Sequence, residues 1–456
     1  MAAAATREDW LALVQRTLKG EDLSTLTHRT PDGLTIRPLY AADDAPAAAD
    51  LGLGARDPDR PWDLRTLTRH PDAVTANAEL VADLEGGAAS GLIRIDPTGA
   101  SGVAIGSAEG LARALDGVIL ELAPVGVDAG FLGVAAADWL AAAGKSSPAA
   151  KLMFHLDPLS AFAEAGASPG PIEAHLIAAA NAGARLEQTY PRASLFLASG
   201  RAAHEGGGGA AIELGFAAAS ALAYAKALTR AGLSAAAAFA KITLSLSADA
   251  QYFQTIAKLR AARLIWARMT GACGAPTPAT IEARSSRRML AARDVWTNML
   301  RLTIAGFGAA AGGADAIVLG CFTDPLGLPT AFARRQSRNA QLVLMEEAHV
   351  GAVADPARGA WAVEAMTDEL ARAGWAAFQA IEAAGGVVQA LECGLVAAEV
   401  ATTREAEAAA PPPRVGDTIY PSADAPPAVE LARPTAVAAP SPRLPGPDSQ
   451  CPALTP

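Results

Sequence analysis

Cysteine is scarce in this chain: Cys273, Cys321, Cys393 and Cys451 are spread through 456 residues. They form no CxxC pair, so neither a disulfide framework nor a zinc site is indicated. Positive charge is also in deficit. With 37 Lys and Arg against 47 Asp and Glu, the net charge of −10 leaves no basic stripe for nucleic acid. Long apolar runs are lacking. The one membrane-like stretch, Leu302–Phe322, is broken by Gly306, Gly308, Gly312, Gly313 and Asp315, and reads as a core helix end and a strand rather than a membrane span. The opening MAAAATREDWLALV sets Arg7, Glu8 and Asp9 ahead of its apolar residues, unlike a signal peptide, so the expected location is cytoplasmic. Aromatic residues are only 5% of the chain, and of its six histidines none follows His349.

What is present is enough for a large core. The hydrophobic share is 51%, much of it alanine, and the length allows two or three domains or one α/β barrel with additions. An amphipathic helix from Thr6 to about Gly20, with Trp10, Leu11, Leu13, Val14 and Leu18 near one face, makes residues 1–29 a helical arm suited to packing on a neighbour. Residues 50–65 read as irregular. From Pro71 onward helices and strands alternate: Ala73–Leu84 then Gly91–Ile95, Ser107–Leu115 then Val118–Leu122, helices over Phe154–Ala165 and Pro171–Ala184, then a strand at Ser194–Ala198. Further strands are expected at Lys241–Leu246, Ile281–Ser285 and Ala316–Gly320, with helices Gln251–Met269, Trp296–Gly308, Thr330–Glu347 and Met366–Ala384 around them. Such alternation with few hairpin signals predicts parallel strands joined by helices, and a (β/α)8 barrel over 30–395 is the simplest architecture that holds them. Residues 396–456 form a Pro/Ala-rich tail whose composition, most marked from Ala408, predicts disorder or loose docking.

The stretch SLFLASGRAAHEGGGGAAIEL, Ser194–Leu214, reads as a buried strand, a glycine loop and a helix start. At the C-terminal mouth of a parallel sheet this is where α/β folds hold active sites. A flexible connection explains the same glycines. Gly206, Gly208 and Ala211 fit a GxGxxA pattern, but in so glycine-rich a run the fit carries little weight, and no Lys-Ser/Thr follows to make a phosphate loop. In the helix Gln251–Met269, Tyr252, Ile256, Leu259, Ala262, Trp266 and Met269 make a core face, and Lys258, Arg260, Arg263 and Arg268 are expected on the solvated one.

The sequence QYFQTIAKLRAARLIWARM in that helix resembles the methylmalonyl-CoA mutase family. So does Arg334–Gly386, with Arg338-Asn339, Gln341-Leu342, Glu346-Glu347, Asp355-Pro356 and Val363-Glu364 in place, and so do TPDGLTIRPLYAADD, RPWDLR and GVAIGSAEGLARALDGV upstream. The resemblance runs from about Trp10 to Leu391. It implies an acyl-CoA mutase (β/α)8 barrel and adenosylcobalamin held between that barrel and a C-terminal flavodoxin-like domain.

Departures from the family pattern matter as much. Its catalytic chains carry Gly-Tyr-His after the strand matching Ser194–Ala198; here Gly200 is kept, but Arg201 and Ala202 occupy the Tyr and His positions. No catalytic residue is therefore assigned. A Tyr upstream of Arg60-Pro61-Trp62 has no match in Ala55–Asp59, and the polar residues expected near Glu282–Ser286 do not match EARSS. His204, in HEGGGGAAIELG, resembles the His-x-x-Gly loop of non-catalytic small subunits; it is a structural histidine or a weak candidate for substrate binding. The family's Asp-x-His-x-x-Gly cobalt-ligand motif has no counterpart here. The resemblance thus implies adenosylcobalamin at the level of a complex, none bound by this chain alone, no metal site, and a catalytic large subunit as partner in a heterodimer. Three readings stand: a small subunit that stabilises a catalytic one, with methylmalonyl-CoA/succinyl-CoA interconversion in propionate metabolism carried by the complex; an active barrel of a split acyl-CoA mutase served by a separate cobalamin-binding protein; or another CoA enzyme on the same barrel.

Overall fold

The computed structural model describes residues 6–432, apart from 49, 55, 58, 423 and 424, together with Leu444. Eight parallel strands close into a barrel: β1 (Asp63–Thr68), β2 (Ser90–Arg94), β3 (Val125–Asp128), β4 (Met153–Leu156), β5 (Ser194–Ser199), β6 (Ile242–Ala248), β7 (Ile281–Ser285) and β8 (Ala316–Val318). Each pairs with its sequence neighbours, and β8 closes on β1 with Ile317 opposite Leu64. The expected (β/α)8 barrel is therefore the fold.

Before the barrel lies α1 (Arg7–Leu18), closed by a capping box between Thr6 and Asp9 and without a single buried residue. The helical layer follows in chain order: α2 (Ala73–Glu85), α3 (Ala108–Ala114), α4 (Gly133–Ala143), α5 (Pro158–Ala165), α6 (Ile172–Thr189), the short α7 (Arg201–Glu205), α8 (Ala210–Arg230), α9 (Ala235–Ala240), α10 (Tyr252–Ala272), α11 (Asn298–Ala311), α12 (Ala331–Leu342), α13 (Trp361–Ala383), α14 (Val387–Glu392) and α15 (Leu395–Ala409). Side-chain caps from Asp72, Ser107, Asp157, Ser234 and Thr330 set where α2, α3, α5, α9 and α12 begin, by taking up backbone N–H groups the first turn leaves free. α8 is long and apolar enough to cross a membrane, but 72% of its apolar window is buried in the protein.

Several expected elements move. The strand placed at Val118–Leu122 is a turn with Ile119 and Leu122 exposed, and the strand comes next, at β3. The helix expected over Phe154–Ala165 is a strand, β4, followed by α5, because Asp157-Pro158 starts a helix rather than continuing one. β1 arises from the end of the stretch read as irregular. Residues 395–409, placed in the tail from 396 onward, are helical: Val396 and Val400 lie four apart on one face and are buried. The tail residues 433–456 lie outside the described ones except for Leu444, which packs against the core.

Candidate functional site at the barrel mouth

Polar and apolar residues alternate along β6 and through Ile281–Arg284 of β7, and with a period of two Glu282 and Arg284 share the face that Arg65 of β1 and Arg94 of β2 also present to the axis. Arg65 on β1 pairs with Asp63 at 2.6 Å and with Glu282 on β7, and its Nε donates to Ser90 Oγ at 3.0 Å. Arg284 reaches Glu282 at 2.5 Å and Asp128 at 3.1 Å, Asp128 meets Arg94 at 2.8 Å, and Arg94 approaches Glu164 at 3.6 Å. Burial alone would raise the Glu282 carboxyl, but Arg284 and Arg65 outweigh it and hold the group well below the ordinary carboxylate range. The same balance, set by Arg94 and Arg284, holds Asp128 low. His155, at φ 43° on β4, is buried beside this network with neither ring nitrogen hydrogen-bonded, and burial takes its pKa down to about 4. The axis is thus occupied by a chain of ion pairs with the unpaired His155 ring beside it.

At the C-terminal end β5 runs into α7, then the glycine loop, then α8. Arg201 is mostly buried, its guanidinium 3.5 Å from Glu205, and Ala202 is in the core. The loop lies at the mouth, as the strand–loop–helix pattern predicted, but its close approaches are made by the chain itself. Gly207 has φ +108°, and a Cβ there would stand 2.9 Å from Arg404 of α15; one on Gly208 would stand 3.0 Å from Val400. On the other side Asp32 places its carboxylate on the first turn of α8, accepting from the N–H groups of Ala210 at 3.0 Å and Ala211 at 2.9 Å. The glycines seat α15 and the Asp32 turn.

Beside the loop is a cavity of about 450 Å³, with His204, Lys258, Ser286 and Arg288 among its lining residues. His204 Nε2 lies 2.7 Å from Ser286 Oγ, and His204 Nδ1 faces Glu213 Oε2 at 3.6 Å. Glu213, fully buried on α8, also accepts from Lys258 Nζ at 2.6 Å and from the backbone N–H of Ser247 at 2.5 Å. Burial, then Lys258, Arg288 and Arg201, push His204 well below its usual pKa, so the ring is neutral. Sequence reasoning had singled out His204 but neither Glu213 nor Lys258, and Ser286 only as part of the stretch that departs from the family. A lone acid in the apolar run AAIELGF was the one available signal for Glu213.

The positions that carried the resemblance lock the scaffold instead. Trp62 Nε1 donates to Gln341 at 3.2 Å, Asp83 binds both Arg334 and Arg338, and Arg260 binds Asp355 and Glu364. Lys258, Arg260 and Arg263, expected on a solvated face, are buried, because each finds a carboxylate on another element: Glu213, Asp355 and Asp315. Among the described residues no group of three or more His, Cys, Asp or Glu could hold a metal ion.

The family model described as methylmalonyl-CoA mutase matches residues 58–412. The chain is 40% identical over 424 residues to the methylmalonyl-CoA mutase small subunit of Streptomyces virginiae, covering 88% of this chain and 67% of that protein. It is 39% identical over 387 residues to a probable methylmalonyl-CoA mutase small subunit of Mycobacterium tuberculosis, covering 80% and 61%. To the methylmalonyl-CoA mutase large subunit of Streptomyces virginiae it is 28% identical over 428 residues, covering 86% and 58%. The chain thus spans roughly three-fifths to two-thirds of these relatives, and with a barrel, locking pairs and sequence all in agreement, it belongs to the methylmalonyl-CoA mutase family.

Proposed function

We propose that this chain acts as the small subunit of an adenosylcobalamin-dependent methylmalonyl-CoA mutase, pairing with a separate catalytic large subunit and stabilising it, while the partner interconverts methylmalonyl-CoA and succinyl-CoA in propionate metabolism. One observation carries the reading: the Arg65–Glu282–Arg284–Asp128–Arg94 chain occupies the barrel axis. An acyl-CoA threaded along that axis would have to separate buried ion pairs, and removing one partner of such a pair costs about 3–5 kcal/mol.

The replacement of the family's Tyr and His by Arg201 and Ala202 supports the same reading, as does the similarity to proteins named small subunits. The cofactor implied by the family does not fit the residues present. His349 is exposed at a left-handed turn, and α15, which follows the barrel, carries no imidazole that could hold cobalt. No step through cobalamin is therefore assigned to this chain. α1, a well-capped helix without a buried residue and with Leu13 exposed, is the proposed arm for subunit packing.

The test is to express a catalytic large subunit with and without this chain and compare recovery, melting temperature and turnover at saturating adenosylcobalamin. Co-purification with a raised melting temperature is expected, because a ligand or subunit that binds only the folded state stabilises it. Identical melting temperature and turnover in both preparations would overturn the proposal.

A further inference from the structure

We propose that Ser286 is a nucleophile, activated by His204, that accepts an acyl group from an ester or thioester carbonyl in the cavity at the barrel mouth. The inference is independent of the mutase reading, since the radical rearrangement makes no use of an acyl-serine.

Ser286 follows directly on β7, at the end of the barrel where strands deliver catalytic side chains. Its Oγ accepts the backbone N–H of Arg288 at 3.2 Å, which leaves the hydroxyl proton free to point to His204 Nε2, 2.7 Å away. In a neutral ring that accepts at Nε2, the remaining proton sits on Nδ1 and faces Glu213 at 3.6 Å. Nucleophile, base and orienting carboxylate thus stand in the order that acyl-transfer sites use. The neutral state of His204 is the one that can take a proton; burial and the nearby Lys258, Arg288 and Arg201 disfavour the imidazolium that results, so the ring would hold that proton only in passing. Arg288 and Lys258 line the same cavity and give it positive charge, although Lys258 is paired with Glu213 and Arg288 with Glu407. A volume of about 450 Å³ falls within the range of small-molecule sites.

The step balances without any other reagent than water. As Ser286 Oγ bonds to the carbonyl carbon, its proton passes to His204 Nε2. The tetrahedral intermediate expels the thiolate or alkoxide, which recovers that proton from His204. Water, deprotonated by the same ring, then attacks the acyl-serine carbonyl; the acid leaves and Ser286 is restored.

The experiment uses the full chain and three probes. A biotinylated fluorophosphonate, which loses fluoride as it bonds to an activated serine, should label one residue per chain, with mass spectrometry locating it at Ser286. p-Nitrophenyl butyrate and butyryl-CoA should be compared as acyl donors, with release of nitrophenol or of CoA and the added acyl mass at Ser286 distinguishing an oxygen ester from a thioester. His204→Gln should slow labelling at least ~100-fold, the usual share of a general base. Ser286→Cys, which preserves size, guards against a variant that fails to fold: alkylation of the introduced thiol by iodoacetamide at about pH 7 should be faster than in the double variant that also carries His204→Gln. Absence of labelling by all three probes, labelling at another residue, or an unchanged rate in His204→Gln would overturn the proposal.

Discussion

The barrel axis and the cavity at its mouth are built from the same kinds of side chain and end in opposite conditions. Along the axis Arg65, Glu282, Arg284, Asp128 and Arg94 pair with one another and occupy the space between the strands. At the mouth His204, Ser286, Lys258 and Arg288 border about 450 Å³ of open volume, and the Ser286 hydroxyl lies 2.7 Å from His204 Nε2. Charge and burial alone therefore do not mark a site in this fold. What distinguishes the two regions is whether open volume adjoins the polar groups, so that a ligand could reach them.

The largest effect that would break this comparison is on the axis. Glu282→Gln removes the carboxylate shared by Arg65 and Arg284 and should cost about 3–5 kcal/mol, read as a shift in the urea midpoint at pH 7. A cost below about 1 kcal/mol would mean that the pairs are dispensable and the axis can open.

Next comes the pH dependence. His155 has a usual pKa of 6.5 and a folded one near 4, so its stabilising contribution is complete above pH 6.5 and is lost as pH falls through 4. The loss should amount to on the order of 3 kcal/mol. His155→Gln should flatten that part of the stability profile, leaving the same-signed contribution of His204, whose pKa is also depressed. An unaltered profile in the variant would show that His155 carries none of it.

A smaller loss is expected at the glycine loop. Gly207→Ala combines a positive φ with a Cβ 2.9 Å from Arg404 and should cost about 1–3 kcal/mol, measured by thermal unfolding. If α15 is only loosely seated, the cost should fall towards that of the strained backbone alone. Asp32→Asn keeps one of the two accepting oxygens at the start of α8, removes the other acceptor and the charge, and should cost about 1 kcal/mol, with the charge-dependent part smaller at high salt. That variant separates a cap from a ligand-like anchor: a salt-independent change would contradict the charge–dipole account.

How much of this was legible follows from what each signal depends on. The strand–helix alternation and most strand positions are local patterns, so the barrel could be read from sequence alone. The pattern did not say which side chains meet on a closed axis, because a run such as Glu282-Ala283-Arg284 looks the same whether its charged residues meet water or other strands. It misled most on α10. Lys258, Arg260 and Arg263 occupy the helical positions a solvated face would, yet their partners Glu213, Asp355 and Asp315 lie 45, 95 and 52 residues away along the chain.

The site divides in the same way. His204, the replaced pair at Arg201 and Ala202, and the missing imidazole beyond His349 are properties of the sequence itself. Only the tertiary structure decided that the glycine loop seats α15 and Asp32, and that Ser286, 82 residues from His204, completes a hydrogen bond across the mouth. Local periodicity sets which residues share a face of one element, but barrel closure sets which faces meet. Ion pairs, cavities and proton-transfer geometry are made where faces meet.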